Sequence, residues 1–320
     1  MTEDKNPKQN DWPPIPQIIL ALLVVGGLFS YSPQSGTTRH STLRQLSPTT
    51  TVSIDQEEVI PAEGVQLPVR LGNLGPQLVS SGVIDKEKFL KLYAGNISLT
   101  GEAEKLLSES NGNLIITRDN APVVLNFLWA LGLANKNPIL DSGEMMNKKY
   151  GGAGNFASTA GWTIAKGNAM EHYSRHILIT LTPEQQLLVD KVSINIYRPC
   201  CGNSVHFPDC NHGMAMLGLL ELMASQGVGE KDMYKAALAV NSYWFPDTYI
   251  TIAAYMKNNG TEWRNVNPQK MLGLDYSSGS GFARIASQIT QPEHRGGGNG
   301  CGVGGDQVLA PQKQSGCGVQ

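Results

Sequence analysis

Charge of one sign is what this chain has least of. Its 25 basic and 27 acidic residues leave a formal net charge of −2 over 320 residues, and only 16% of the residues are charged. A balance of this kind gives no electrostatic footprint for a polyanion, which sets nucleic acid aside as a partner. Nucleotide-binding loops are missing as well. The stretch GGAGNF at 151–156 has no lysine to meet a phosphate, and no Walker or dinucleotide fingerprint lies between a strand and a helix. The run Ser277-Ser278-Gly279-Ser280-Gly281 lacks the first glycine of a nucleophile elbow. Asp190, Glu221 and Asp247 are scattered, so paired acid–base catalysis has no sequence support. Strand signals are few: LIIT at 114–117 and ILIT at 177–180 are the candidates, too few for a sheet-based fold.

Cysteine is scarce too, with five residues, and none stands in a C-x-x-C pair, a zinc-finger spacing or a haem-attachment motif. An odd number excludes complete pairing within the chain. A chain that is 41% hydrophobic can bury a core without disulfide staples, so clustering of its thiols points toward chemistry.

What is present begins with an apolar run. Residues 18–29 (IILALLVVGGLF) carry no charge, and the uncharged stretch extends over 13–31, about the length that spans a bilayer. Lys5 and Lys8 precede it, Arg39 and Arg44 follow, and no A-x-A cleavage site is present. The reading is a transmembrane anchor, with a cleaved signal as the alternative. The membrane is therefore an expected partner through 13–31, and the rest of the chain is expected outside the cytoplasm. Residues 1–12 are a short polar N-terminus. Residues 32–67, rich in Ser, Thr, Pro and Gln, read as a flexible linker. Residues 290–320 read as a disordered Gly/Cys tail carrying two Gly-Cys-Gly units, at Cys301 and Cys317.

Between linker and tail, residues 68–289 read as a single multi-helix, mostly α domain. Asp85 caps a short amphipathic segment, and Thr100 is placed to cap GEAEKLL. Asn120 precedes APVVLNFLWALGLA, apolar nearly all round and hence buried. Thr182-Pro183-Glu184-Gln185 is a capping box opening a helix to about Tyr197. Residues 211–226 form the most apolar helix of the domain, with Gly227 as its stop. Residues 230–245 and 247–258 follow, broken at Pro246, and Asn267-Pro268 starts another short helix.

The chemistry concentrates in YRPCCGNSVHFPDCNHG, residues 197–213, which joins two of these helices. Cys200, Cys201, Cys210 and His212 offer three sulfurs and an imidazole, the complement of a tetrahedral zinc ion. Thiolates also suit Cu(I), and less closely here an iron–sulfur cluster. A helix N-terminus after the loop would stabilise thiolate charge. Adjacent cysteines, however, are expected to diverge. His206 lies inside the loop, and His172 and His176 stand at the four-residue spacing that puts two imidazoles on one helix face. All three are candidate additional ligands. Met214, Met216 and Met223 are either soft ligands or core filler. The function expected from sequence is metal binding by a membrane-anchored extracytoplasmic domain, for metal handling or transfer, with Cys301 and Cys317 as thiols that exchange the ion. The alternatives are a thiol–disulfide oxidoreductase and a non-enzymatic scaffold braced by a disulfide.

Overall fold

The computed structural model describes residues 54–289. The apolar segment 13–31 and the tail with Cys301 and Cys317 lie outside the described residues. Among the described residues, no helix is long and apolar enough to cross a membrane. The mostly helical expectation is met: fifteen α-helical segments accompany one two-stranded sheet.

The fold starts inside the stretch read as linker. Asp55 caps α1 (Gln56–Val59) by accepting from the Glu57 amide. Strand β1 (Val65–Gly72) follows, and its period-two pattern buries Leu67, Val69 and Leu71 on one face. It pairs antiparallel with β2 (Ser110–Ile116), Val65 opposite Ile116 and Arg70 opposite Asn113. Two side chains fasten this entry segment. Arg118 donates from Nε to the Ile60 carbonyl at 2.9 Å and from Nη2 to Glu57 at 2.7 Å. Tyr243 donates its hydroxyl to the Pro61 carbonyl at 2.7 Å.

Between the strands lie α2 (Leu74–Ser80), α3 (Lys86–Lys91), capped by Asp85 as expected, and α4 (Ile97–Leu107). The cap of α4 is Asn96, which accepts from Leu99, and Thr100 sits one turn inside with its hydroxyl bonded back to the Tyr93 and Asn96 carbonyls. Asn96 wins because its side chain offers the better cap acceptor and starts the helix a turn earlier. Helix α5 (Ala121–Ala134) is buried on nearly every side, as its all-round apolar sequence requires. Three short helices follow: α6 (Pro138–Ser142), α7 (Ala157–Ala160) and α8 (Ala169–His172). The ILIT segment makes no strand; residues 177–180 run irregularly along the surface of the core.

Helix α9 (Pro183–Ile194) opens with the expected capping box, Thr182 and Gln185 each satisfying the other's backbone amide. Then come α10 (Asn211–Ser225), α11 (Glu230–Trp244), α12 (Pro246–Asn258), α13 (Pro268–Leu272), α14 (Leu274–Ser277) and α15 (Gly279–Ala286). Helix α10 is the axis of the core, buried from Asn211 through Ala224. It crosses α5 where two glycines meet. A Cβ on Gly218 would stand 2.6 Å from the Leu128 carbonyl and 2.7 Å from the Gly132 amide, and one on Gly132 would run into the Met214 carbonyl. Backbone against backbone at this crossing fixes where α10, and so its N-terminus, lies.

Further along α10, Glu221 is fully buried between two amides. Asn135 donates to it at 3.1 Å and Asn137 at 2.5 Å. Burial pushes the Glu221 carboxyl up to about 8 from its ordinary 4.5, although both amide donors pull the other way. Both amides are oriented from behind: the Asn135 oxygen accepts from the Leu178 and Ile179 amides, and the Asn137 oxygen from Ile139 and Gln186.

Candidate metal centre

The thiol loop runs from the end of α9 to the start of α10. Tyr197 and Ser204 form an antiparallel bridge that makes it a narrow hairpin. The hairpin is tied down at both flanks. Tyr197 donates its amide to the Leu272 carbonyl at 2.8 Å, and the Gly279 amide donates to the Cys201 carbonyl at 2.9 Å. A Cβ at Gly279 would lie 3.2 Å from the Pro199 carbonyl, so the start of α15 packs directly on the loop.

At the loop's centre is Arg198, a fully buried side chain. Its guanidinium fork organises the whole turn. Nε donates to the Cys210 sulfur at 3.2 Å, Nη1 to the Asn203 carbonyl at 3.0 Å, and Nη2 to the Phe207 carbonyl at 3.2 Å and to Asp209 Oδ1 at 2.5 Å. Asn203 completes the set by donating to Asp209 Oδ2 at 2.9 Å. A buried charge is tolerated only when paired and hydrogen-bonded, and this one is both. Burial works against the Arg198 charge, and Cys210, Cys201 and Asp209 beside it outweigh that and hold the proton more tightly than in water. Gly213 makes room for it, since a Cβ there would stand 2.6 Å from the guanidinium carbon.

The three cysteines converge. Their sulfurs all lie within 4.8 Å of one another, and Cys200 and Cys210 are 3.6 Å apart. All three are free thiols. The adjacent pair does not diverge as its sequence position suggests. The Cys201 amide reaches back to the Arg198 carbonyl at 3.3 Å, and the tight turn that results brings both neighbouring sulfurs to Cys210. Sulfurs bound at about 2.3 Å to one tetrahedral ion stand about 3.8 Å apart, so the 3.6 Å edge needs little adjustment to take one.

Cys210 is also the N-cap of α10, its sulfur accepting from the Gly213 amide at 3.4 Å. Hydrogen bonds from Cys200 and then Cys201 hold its thiol well below the ordinary range, against burial, and Arg198 and His212 add to them. Its two neighbours hold their own protons more tightly. Cys200 is raised because it donates to Cys201 and Cys210. Cys201 is lowered by Cys200 but pushed up overall, to about 12, by Cys210 and burial. Of the three, Cys210 is therefore the most readily ionised sulfur, faced by two thiols and a guanidinium. Burial also raises the Asp209 carboxyl, with Arg198 opposing it.

His212 stands two residues beyond Cys210, its ring packed 4.4 Å from Phe245 and 5.8 Å from Trp244. Its Nδ1 is buried and has no hydrogen-bond partner among the described residues. It is not one of the residues whose ligand atoms group with the three sulfurs. His206 lies off the cluster, half-buried, with Nε2 4.0 Å from Asp190. His172 and His176 meet each other, not the thiols. Met214, Met216 and Met223 are fully buried core residues. Arg198 and Asp209 are the functional residues that the sequence reading passes over. An arginine directly before Pro-Cys-Cys and an aspartate directly before the third cysteine mark their positions in the sequence, but not that the two pair.

The chain matches no family model, no curated protein and no solved structure.

Proposed function

We propose that this protein binds a soft or borderline metal ion through Cys200, Cys201 and Cys210, with zinc or copper as the best-matched ions. The observation that supports it is the convergence of three free sulfurs within 4.8 Å of one another, of which Cys210 is the most readily ionised. The buried His212 Nδ1, with no hydrogen bond of its own, is the candidate fourth donor from the same helix end. Charge arithmetic favours a divalent ion. Three thiolates and Asp209 carry four negative charges and Arg198 one positive, so a divalent ion leaves a smaller residual charge than Cu(I) does. The uncharged stretch 13–31 would tether the domain to a membrane and place it outside the cytoplasm, and Cys301 and Cys317 would hand the ion on or take it up.

The test is metal content measured beside a thiol count on the full chain purified under reducing conditions. One zinc or copper per chain is expected, with three thiols protected from alkylation while it is bound. Cys210→Ser keeps a cap acceptor for α10 and is expected to fold but lose the ion. A chain that takes up neither metal, with all its cysteines open to alkylation, would overturn the reading.

A second reading draws on the 3.6 Å separation of a low-pKa Cys210 and a protonated Cys200. Opening of the loop would expose Cys210, fully buried at rest, and its thiolate would attack a substrate disulfide and expel one substrate thiolate. Cys200, giving up its proton, would then attack the Cys210 sulfur, expel the second substrate thiolate and close the Cys200–Cys210 disulfide. Trapping of a mixed disulfide on Cys210 in Cys200→Ser distinguishes this from metal binding.

A further inference from the structure

The spacing of His172 and His176 suggests one helix face, but α8 ends at His172. The chain then leaves the helix and bends through Ser174, the one non-glycine residue with positive φ (+53°) among the described residues. A non-glycine side chain held in that region marks a backbone fixed by its surroundings. The fixing contacts are visible. Ser174 donates its amide to the Leu133 carbonyl, and His176 donates its amide to Ala134 and accepts from Lys136, so this segment is laced to the end of buried α5. The bend does what the helix would have done and brings the rings closer still. His172 Nδ1 and His176 Nε2 are 3.0 Å apart, with the rings 21° from parallel.

The proton positions follow from the partners. His172 Nε2 lies 2.8 Å from the Lys166 carbonyl, which can only accept, so Nε2 carries a proton and Nδ1 is the nitrogen that faces His176. That is the arrangement of a metal-ligating histidine, whose second nitrogen is fixed by a backbone carbonyl. Nitrogens bound at about 2.05 Å in neighbouring positions of a square or octahedral ion stand about 2.9 Å apart, and about 3.3 Å apart on a tetrahedral one. The observed 3.0 Å falls between them. His172 is 7% exposed and supplies the rigid side, while His176 is half-buried and leaves the remaining positions to water.

We infer that His172 Nδ1 and His176 Nε2 form a second cation site, separate from the thiol centre, for a borderline divalent ion of the zinc, nickel or copper(II) class. When the ion enters, it replaces the hydrogen bond between the rings, and the proton on His176 Nε2 leaves for solvent or for Nδ1 of the same ring. The site owes nothing to the cysteines: its polar partners are the two rings and Lys166.

The experiment titrates zinc into the full chain while following both histidine rings by nitrogen NMR and the cysteines by alkylation. Zinc is expected to shift the signals of His172 Nδ1 and His176 Nε2 while His172 Nε2 stays protonated. His176→Gln, at the more exposed position, is expected to weaken that binding about tenfold or more and to leave thiol protection unchanged. Failure of the thiol centre alone would leave the ring shifts intact, so the two readings fail separately. Zinc that moves neither ring of the unmodified chain, or binds His176→Gln with unchanged affinity at this second step, would overturn the inference.

Discussion

Gly213 decides more about the thiol centre than its missing side chain suggests. It lies in the first turn of α10 with the Arg198 guanidinium where a Cβ would be. Gly213→Ala must therefore move the guanidinium away from Cys210 and Asp209. Disturbing a buried pair in this way costs about 3 kcal/mol, and the Cys210 thiol should rise toward its ordinary range. The measurement is the pH dependence of Cys210 alkylation in the metal-free protein, whose inflection is expected to move upward. An unchanged inflection would mean that the two neighbouring thiols hold the thiolate without Arg198. At this scale the sequence was readable for sulfur and unreadable for its counterion. Cys200, Cys201 and Cys210 declare themselves by residue type and proximity. The role of Arg198 depends on a hairpin turn and on a glycine fifteen residues later, and no local pattern encodes either. His212 was readable by type as well, and the structure adds what sequence could not show: a buried Nδ1 without a hydrogen bond, on a ring packed against Phe245.

Helix α10 carries the cluster at its first turn, and the Gly132–Gly218 crossing holds it in place. Gly218→Ala inserts a methyl against the Leu128 carbonyl and the Gly132 backbone, with no flexible side chain to yield. Overpacking of this kind costs about 1–3 kcal/mol. A lower thermal midpoint is expected, with α-helical circular dichroism retained at low temperature. Elements like these were legible where short-range signals are complete. The Thr182 capping box, the Pro246 break and the all-apolar α5 all appear as read. Strand β1 was hidden because proline argues against a strand, although Pro68 stands at an outward position of an unbroken alternation. A two-stranded sheet has only edge strands, so Pro68 is tolerated there. The α8 segment fails for another reason: its helix stops at the first of two histidines that helical spacing would pair, and the lacing onto α5 is tertiary.

Across the whole molecule, the buried Glu221 carboxyl makes stability depend on pH. Its pKa in the folded state is about 8, against 4.5 as its ordinary value, so between those limits the folded protein binds the proton more tightly than the unfolded chain does. Stability contributed by this group is therefore complete below about pH 4.5. It declines as pH rises, by up to about tenfold in the folding constant per pH unit, and levels off above about 8. Cys210, held low, acts in the opposite direction below its ordinary value of 9.0, and Cys200 and Cys201, held high, act with Glu221 above it. Comparison with Glu221→Gln isolates the carboxyl. That variant must turn an amide NH2 toward one of two fixed amide donors, so it is expected to be less stable by about 1–3 kcal/mol at pH 5. The gap should narrow toward pH 8, as measured by denaturant unfolding across the range. A gap that stays constant with pH would show that Glu221 does not titrate in this window.

The clasp on residues 57–61 also determines how the domain meets mechanical load. A pull on the domain from its N-terminal side meets this clasp first. Arg118 and Tyr243 grip the Ile60 and Pro61 carbonyls before the chain enters β1. Tension is therefore spent on that grip first, and the sulfur hairpin more than a hundred residues downstream keeps its shape until the grip lets go.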